Sequence, residues 1–463
     1  MHNDSVGRAV LEAKSVHFIG IAGTGMQALA EVLLARGTPV SGSDTRAAPV
    51  LDRLSSAGAR ISIGQACAQL GEADAVVISA AIPDDNPELQ EARARHLPVA
   101  THAQVLGALS QDFTTIAISG THGKSTTTAL CAHILLTSGL DPIVLGGAYA
   151  ENFGGSGRAG RGPHLVVEAD EFARRFLELT PTVAVITNIE PDHLDYYESF
   201  AAIESTFADF VKRLRPDGWL LACADGPMGQ AVTQHQRLIR YGETPGADWR
   251  ISDYAADPHG TSFTLHPPSA QAVQVTSPLR GRHNALNTTA AIGAATLVGV
   301  SLSDATASVG SFLGTQRRFQ TVLRTQSLWI IDDYAHHPTE IRATLRAARE
   351  SHAGRIIAVF QPHTSHRTRA LFDDFATAFP DADEVLLLPI YHPAGREPEN
   401  VTVSSVDLAS AIRQSRSRSV KSMDEAVEVL RTRVQSGDLV LLMGAGDVTE
   451  LGPRLAGALG TLS

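Results

Sequence analysis

Cysteine is scarce in this chain. Cys67, Cys131 and Cys223 are the only three in 463 residues, too few and too scattered for a disulfide framework or a structural zinc site. That count fits a reducing compartment. Long hydrophobic runs are also missing. The longest strongly apolar stretch, 290–300, is well short of the ~20 residues that a membrane-spanning helix needs. The opening MHNDSVGRAVLEAKS has no apolar core of the kind a secretion signal carries, so the expected location is cytoplasmic, without a membrane partner. Nor is there a surplus of positive charge. With 38 Lys and Arg against 49 Asp and Glu, the formal net charge is −11, which argues against nucleic acid as a partner. A local pocket for a phosphorylated small molecule stays compatible with that average. Internal repeats and low-complexity tracts are absent.

What the chain does have is 43% hydrophobic and 19% charged residues. That excludes global disorder and leaves a small-molecule enzyme as the default class. At ~150 residues per domain the length corresponds to about three domains. Short apolar runs alternate with helical patterns: strands are expected at 16–21, 39–42, 75–79, 115–119, 165–167, 183–187, 328–331, 355–359, 384–388 and 439–442, with a helix at 26–36. Such alternation implies an α/β protein whose parallel sheets carry helices on both faces. The segment 245–280 alternates with period two and is punctuated by proline, as in a small antiparallel insert. The expected organisation is a Rossmann-like domain over 1–112, a P-loop ATPase-type central domain over 113–322 and a Rossmann-like domain over 323–463.

The first strand runs into Gly20-Ile21-Ala22-Gly23-Thr24-Gly25-Met26, and Asp44 closes the next strand. Glycines at such a turn let a pyrophosphate approach a helix N-terminus, and an acid at the second strand end would bond a ribose hydroxyl. The spacing is G-x-x-G-x-G, with Ala22 where the dinucleotide fingerprint has its middle glycine. Nucleotide-pyrophosphate binding and a merely tight turn both remain open. An NAD-dependent oxidoreductase would account for this loop but for nothing further along.

The second glycine loop is more specific. Gly120-Thr121-His122-Gly123-Lys124-Ser125-Thr126 follows a strand and enters a helix, as in a shortened P-loop with Ile118 at the first glycine position. Its backbone N–H groups would cradle phosphates, Lys124 would offset the β/γ charge, and Ser125 would coordinate Mg²⁺. Two acidic clusters follow on strand ends: Glu168-Ala169-Asp170-Glu171, and Asn188 to Asp195 with Glu190, Asp192 and His193. Carboxylates on that edge of a parallel sheet can complete a Mg²⁺ shell, while Asp192 or Asp195 could equally cap a helix. In the last third, Asp332-Asp333-Tyr334-Ala335-His336-His337 and Gln361-Pro362-His363-Thr364-Ser365-His366-Arg367 each follow a strand. An arginine is the natural partner of an amino-acid carboxylate, and Arg367 is the candidate. A solvated helix start is its alternative.

GTHGKST, VVEADE, NIEPDHLD, GRHNALN, DDYAHHPTE and FQPHT with RTR occur in this order, and together they resemble the Mur ligases of peptidoglycan synthesis. The resemblance spans about 17–446. It implies that ATP phosphorylates a carboxylate of a UDP-sugar and that an amine then displaces phosphate to give an amide. The implied substrates are UDP-N-acetylmuramate and L-alanine, with a recycled tripeptide as the alternative amine. The implied cofactor is Mg²⁺, and a monomer or weak homodimer is expected. By this resemblance Gly20, Ala22, Gly23, Thr24, Gly25, Met26 and Asp44 hold the UDP-sugar. Gly120 to Thr126, with Asn284, Arg318 and Asp333, hold ATP. Ser125, Glu168 and His193 hold metal, Tyr334 and Arg367 the amino acid, and Lys124, Glu168, His193, His336 and Arg367 carry catalysis. Asn284 at the adenine competes with Asn284 as a helix cap. The chain departs from the family at Phe172-Ala173-Arg174-Arg175, where Ser-Asp is usual. It also departs at Thr364, where many members have Arg, at Gln320 for Glu, and in the Tyr391 to Pro398 stretch, which is longer than usual.

Overall fold

The computed structural model describes residues 4–193, 196–228, 230–268, 270–393 and 402–459. Three sheets follow one another along the chain. The first holds β1 (Val16–Ile19), β2 (Val40–Asp44), β3 (Arg60–Ile63), β4 (Ala75–Ile78) and β5 (Val99–Thr101), all parallel, in the order 3-2-1-4-5. Its central strand, VHFI, is buried at every position. An unbroken apolar run is what a strand covered on both faces requires.

The second sheet has ten strands: β6 (Thr114–Ser119), β7 (Ile143–Ala150), β8 (Gly155–Arg158), β9 (His164–Glu168), β10 (Val183–Ile186), β11 (Trp219–Cys223), β12 (Leu238–Gly242), β13 (Trp249–Asp257), β14 (Gly260–His266) and β15 (Val273–Ser277). Their order is 15-14-13-12-11-10-6-9-7-8. The expected antiparallel insert is β13–β15, and it extends this same sheet. Strand β6 lies between β10 and β9, so the chain leaves it at a switch point of the sheet, where ligands of open α/β folds bind.

The third sheet orders β16 (Gln320–Arg324), β17 (Leu328–Asp333), β18 (Ile356–Phe360), β19 (Glu384–Leu387), β20 (Arg416–Ser419) and β21 (Asp438–Met443) as 16-17-21-18-19-20, with only β16 antiparallel. It therefore starts at Gln320, ahead of the boundary expected after 322. The edge strand QTVLR is only half-buried, so no apolar run marks it in the sequence.

The first two sheets share an apolar core. One cluster runs from Val16, Phe18 and Leu33 to Leu145, Val167, Phe176 and Phe207. Backbones touch across that junction: a Cβ on Gly157 would lie 2.5 Å from the Ala28 carbonyl oxygen. The third sheet is packed by two clusters of its own, around Phe360 and Phe379 on one face and Val440 and Leu455 on the other. Among the described residues, no helix is long and apolar enough to cross a membrane.

Candidate active site

Two cavities lie near the carboxyl ends of β6 and β9. The larger, about 680 Å³, runs between the first two sheets. Gly23, Gly25 and Met26 form one end, Glu168 and Asp170 the other, and Tyr334 of the third sheet reaches its wall. The remaining predicted loop residues build the loop: Asp44 accepts the Ala22 amide through Oδ2 at 2.9 Å, so one oxygen of the acid expected at a ribose is already engaged. The helix Thr24–Ala35 begins here without a side-chain cap, leaving its first N–H groups directed at the groove. The side chain of Thr24 and residues 394–398 of the Tyr391 to Pro398 stretch lie outside the described residues.

The P-loop closes β6 onto the helix Lys124–Thr137. Gly123 has φ +82°, and a side chain there would strike Asn287, so only glycine lets the loop pass beneath the helix Arg282–Leu297. Lys124 Nζ donates to the carbonyls of Gly120 (2.6 Å) and Thr121 (3.0 Å) and to Glu171 Oε1 (3.0 Å). Burial works against the Lys124 charge, but Glu171 and Asp170 outweigh it and raise its pKa above the lysine norm. Burial pushes the Glu171 carboxyl up to about 7, with Lys124 pulling against it.

Glu168 Oε2 accepts the Gly147 amide at 2.9 Å, and a Cβ on Gly147 would collide with that carboxylate. His193, at φ +53°, brings Nε2 to 3.8 Å from Glu171 Oε1 and its ring to 4.8 Å from Phe172. Burial lowers its pKa, favouring the neutral imidazole that can ligate a metal.

The second cavity, about 260 Å³, lies between the second and third sheets. His122, Gly123, Thr126, Asn284, Arg318 and Asp333 all line it. Asn284 is no helix cap, since Gly281 holds that position. Its amide donates to the Arg280 carbonyl at 2.8 Å, and its Oδ1 accepts from Asn287 at 3.0 Å. Asp333 accepts the Phe319 amide (2.7 Å) and the Ala335 amide (2.8 Å), and burial raises its pKa to about 6. Arg317 and Arg318, just ahead of β16, turn to different partners. Both lie over the Tyr334 ring, at 4.9 and 5.0 Å, but Arg317 donates to the Gly444 and Gly446 carbonyls, whereas Arg318 faces the cavity.

Polar contacts close this seam. His122 Nδ1 sits 3.1 Å from Glu340 Oε1, and its Nε2 is 3.6 Å from Glu190 Oε2. Burial opposes the His122 charge, but Glu340 and then Glu190 overcome it and push its pKa up to about 9. Thr339 Oγ1 donates to Glu190 at 2.6 Å, and His337 Nε2 meets the Pro191 carbonyl at 3.2 Å. Asp192 does not cap a helix; Ser199 caps the following one. Instead Asp192 Oδ1 accepts from Arg367 Nη2 at 2.8 Å and Nε at 3.2 Å. Burial works against the Asp192 charge, but Arg367, then His193 and His336, hold its carboxyl well below the usual range. Asp195 lies outside the described residues.

Family models match nearly the whole chain in order: "Mur ligase family, catalytic domain" over 15–114, "Mur ligase middle domain" over 118–295, and "Mur ligase, glutamate ligase domain" over 317–446. A UDP-N-acetylmuramate–L-alanine ligase of Symbiobacterium thermophilum is 43% identical over 97% of this chain and 95% of its own length. The chain belongs to the Mur ligase family. A second relative of the same name, from Thermobifida fusca, is 42% identical over 96% of both chains. Among solved structures, the UDP-N-acetylmuramate-alanine ligase MurC of Thermotoga maritima superimposes with a TM-score of 0.81 at 26% identity, over 97% of this chain and all of that one. The murein peptide ligase of Psychrobacter arcticus gives 0.71 at 26%, over 97% and 99%.

Two residues of this Mur ligase's site, Glu340 and Gly147, are not among those the sequence singles out. Glu340 gathers His122 at 3.1 Å, His336 at 3.3 Å and Arg318 at 3.8 Å, yet its motif reads as a helix-capping box, a role it also fills. Gly147 carried a signal in the pair Gly146-Gly147 inside a strand, which marks close backbone approach. His336 is placed with its ring on the Tyr334 carbonyl at 2.9 Å, and burial lowers its pKa to about 4.

Proposed function

We propose that this Mur ligase joins the amino group of L-alanine to the lactyl carboxylate of UDP-N-acetylmuramate, converting ATP to ADP and phosphate, in the cytoplasmic synthesis of a peptidoglycan precursor. The observation that carries the reading is the placing of the two cavities side by side: Tyr334 lines one and its neighbour Asp333 the other, and the strand that ends in Glu168 pairs with the strand that opens into the P-loop, so that a sugar nucleotide and a nucleoside triphosphate in these grooves would bring their reacting ends towards each other. The relatives' names supply the substrates.

The three sheets divide the work. The first domain, 1–112, takes the UDP portion at the helix start after Gly23, where free N–H groups favour a diphosphate. The central domain, 113–322, takes ATP. Gly120 to Thr126 cradle the phosphates, Lys124 exchanges Glu171 for β/γ oxygens, and Asn284, Arg318 and Asp333 line the nucleoside end. The third domain, 323–463, brings Tyr334 and Arg367 to the amino acid.

The donor set suits Mg²⁺. Ser125 and Glu168 offer hard oxygens, His193 a neutral nitrogen, and Gly147 leaves room that a side chain would fill. When bound, Mg²⁺ screens the repulsion between two anions that must react. In the first step a carboxylate oxygen bonds the γ-phosphorus and the bridging bond to ADP breaks. In the second the amine nitrogen bonds the acyl carbon, phosphate departs and the amine gives up a proton. Positioning and charge stabilisation are most of what such transfers need.

The test offers UDP-N-acetylmuramate and ATP with single amino acids or with the tripeptide, reading product mass. L-alanine is expected to give the amide. Product with the tripeptide and none with L-alanine would overturn the assignment.

A further inference from the structure

Arg367 was expected to hold the carboxylate of the incoming amino acid, but in this structure its guanidinium is engaged. Two of its N–H groups point at Asp192 Oδ1, at 2.8 and 3.2 Å, and its third nitrogen lies 3.4 Å from His363 Nδ1. Both partners are largely buried, with 14% and 9% of their side-chain surfaces exposed. The pair joins two sheets: Asp192 follows β10 in the second, and Arg367 opens the helix after β18 in the third. It also borders the reaction centre. Asp192 precedes His193 in the chain, its Oδ2 is 3.9 Å from His193 Nε2, and its Oδ1 also accepts the His193 amide at 2.7 Å.

A buried ion pair is costly to open by halves, because a lone charge stays behind without water or partner. An anion alone would bond Arg367 and strand Asp192; an amine alone would do the reverse. An α-amino acid at neutral pH carries both charges one carbon apart. It can enter the pair with its carboxylate on Arg367 and its ammonium on Asp192, and no charge is stranded. We propose that the Arg367–Asp192 pair is the receptor for the amino-acid zwitterion, with Asp192 holding the ammonium beside the acyl phosphate until it gives up its proton. The inference deepens the proposed ligase reading and rests on it. It adds a role for Asp192, and it makes acceptor choice a matter of charge pattern: an amine without a carboxylate cannot draw Arg367 away.

The experiment separates acceptor binding from acyl-phosphate formation. Hydroxylamine, small and mostly uncharged at neutral pH, attacks an acyl phosphate without needing the receptor: its nitrogen bonds the acyl carbon, phosphate leaves and a hydroxamate results. Full-length wild type, Asp192→Asn and Arg367→Gln are compared with UDP-N-acetylmuramate, ATP and Mg²⁺, using either L-alanine or hydroxylamine as acceptor. Both variants are expected to lose about 100-fold in kcat/KM for L-alanine, the scale for truncating one member of a buried charge pair, while trapping hydroxamate within about threefold of wild type. L-alaninamide, which has the amine but no carboxylate, should be as poor with wild type as L-alanine is with Arg367→Gln; this arm needs no variant to fold. Parallel loss of amide and hydroxamate would show that the pair only holds the sheets together and would overturn the proposal. So would unchanged use of L-alanine by Asp192→Asn, or full use of L-alaninamide by wild type. If wild type yields neither product, the ligase reading fails first, a result distinct from all of these.

Discussion

The two junctions of this molecule are built from opposite materials. Between the first and second sheets the contact is apolar and continuous, with Phe18, Leu33, Leu145 and Phe176 in one cluster and the Gly157 backbone against Ala28. Between the second and third sheets it is polar: His122 with Glu340, Thr339 with Glu190, and Arg367 with Asp192. Apolar burial is strong and non-directional, and nothing in a small substrate can replace it. Hydrogen bonds and ion pairs are modest in net terms, and a ligand bearing the same groups can exchange with them. The first junction therefore fixes a groove, while the second is one that substrates can open and rebuild, as lid and domain closures require.

The largest expected effect tests the separation of the two cavities. Lys124→Ala should lower turnover by about 1000-fold, as for loss of a group that stabilises transferring charge, while calorimetry shows UDP-N-acetylmuramate binding nearly intact. Equal loss of both would mean that the groove and the P-loop are not independent.

Gly147→Ala comes next. Its Cβ would push Glu168 from its place, and the Mg²⁺ concentration giving half-maximal phosphate release should rise by about 10- to 100-fold, the range for disturbed support of a metal ligand.

A matched pair of variants then contrasts the junctions directly. Gly157→Val should cost about 1–3 kcal/mol by overpacking against Ala28 and lower the melting temperature. Thr339→Val removes one hydrogen bond to a carboxylate beside the second cavity; it should leave melting nearly unchanged and raise KM for ATP by about tenfold. If Thr339→Val shifts melting as much as Gly157→Val, the two junctions are not different in kind.

The smallest effect is in pH. His122 titrates near 9 in the fold, above its ordinary 6.5. The stability it contributes is complete below about 6.5 and is lost as pH rises through about 9. Melting should fall by a few degrees across that window, and the fall should vanish in His122→Gln.

The fold class was legible because strand and helix periodicities alternate openly and the buried strands are apolar from end to end. Lys124, Ser125 and Glu168 stood out as candidates because glycine loops and acids directly follow such strands. Edge strand β16 was not, since a half-buried strand has no apolar signature. Glu340 was hidden behind its helix-capping pattern.

Arg367 shows where local reading stops: its residue type names a carboxylate partner, but its present partner, Asp192, lies 175 positions away. By itself, then, the amino-acid order determined three α/β units, the phosphate loop and the residue types of the chemistry, because period, glycine spacing and charge act over a few residues. The tertiary structure decided that Arg317 is taken up by the Gly444 and Gly446 carbonyls, which glycine admits Glu168 and which carboxylate holds Arg367. Those contacts depend on neighbouring strands of one sheet, for Gly147 and Glu168, and on two sheets coming together, for Asp192 and Arg367, and the partners stand far apart in the sequence.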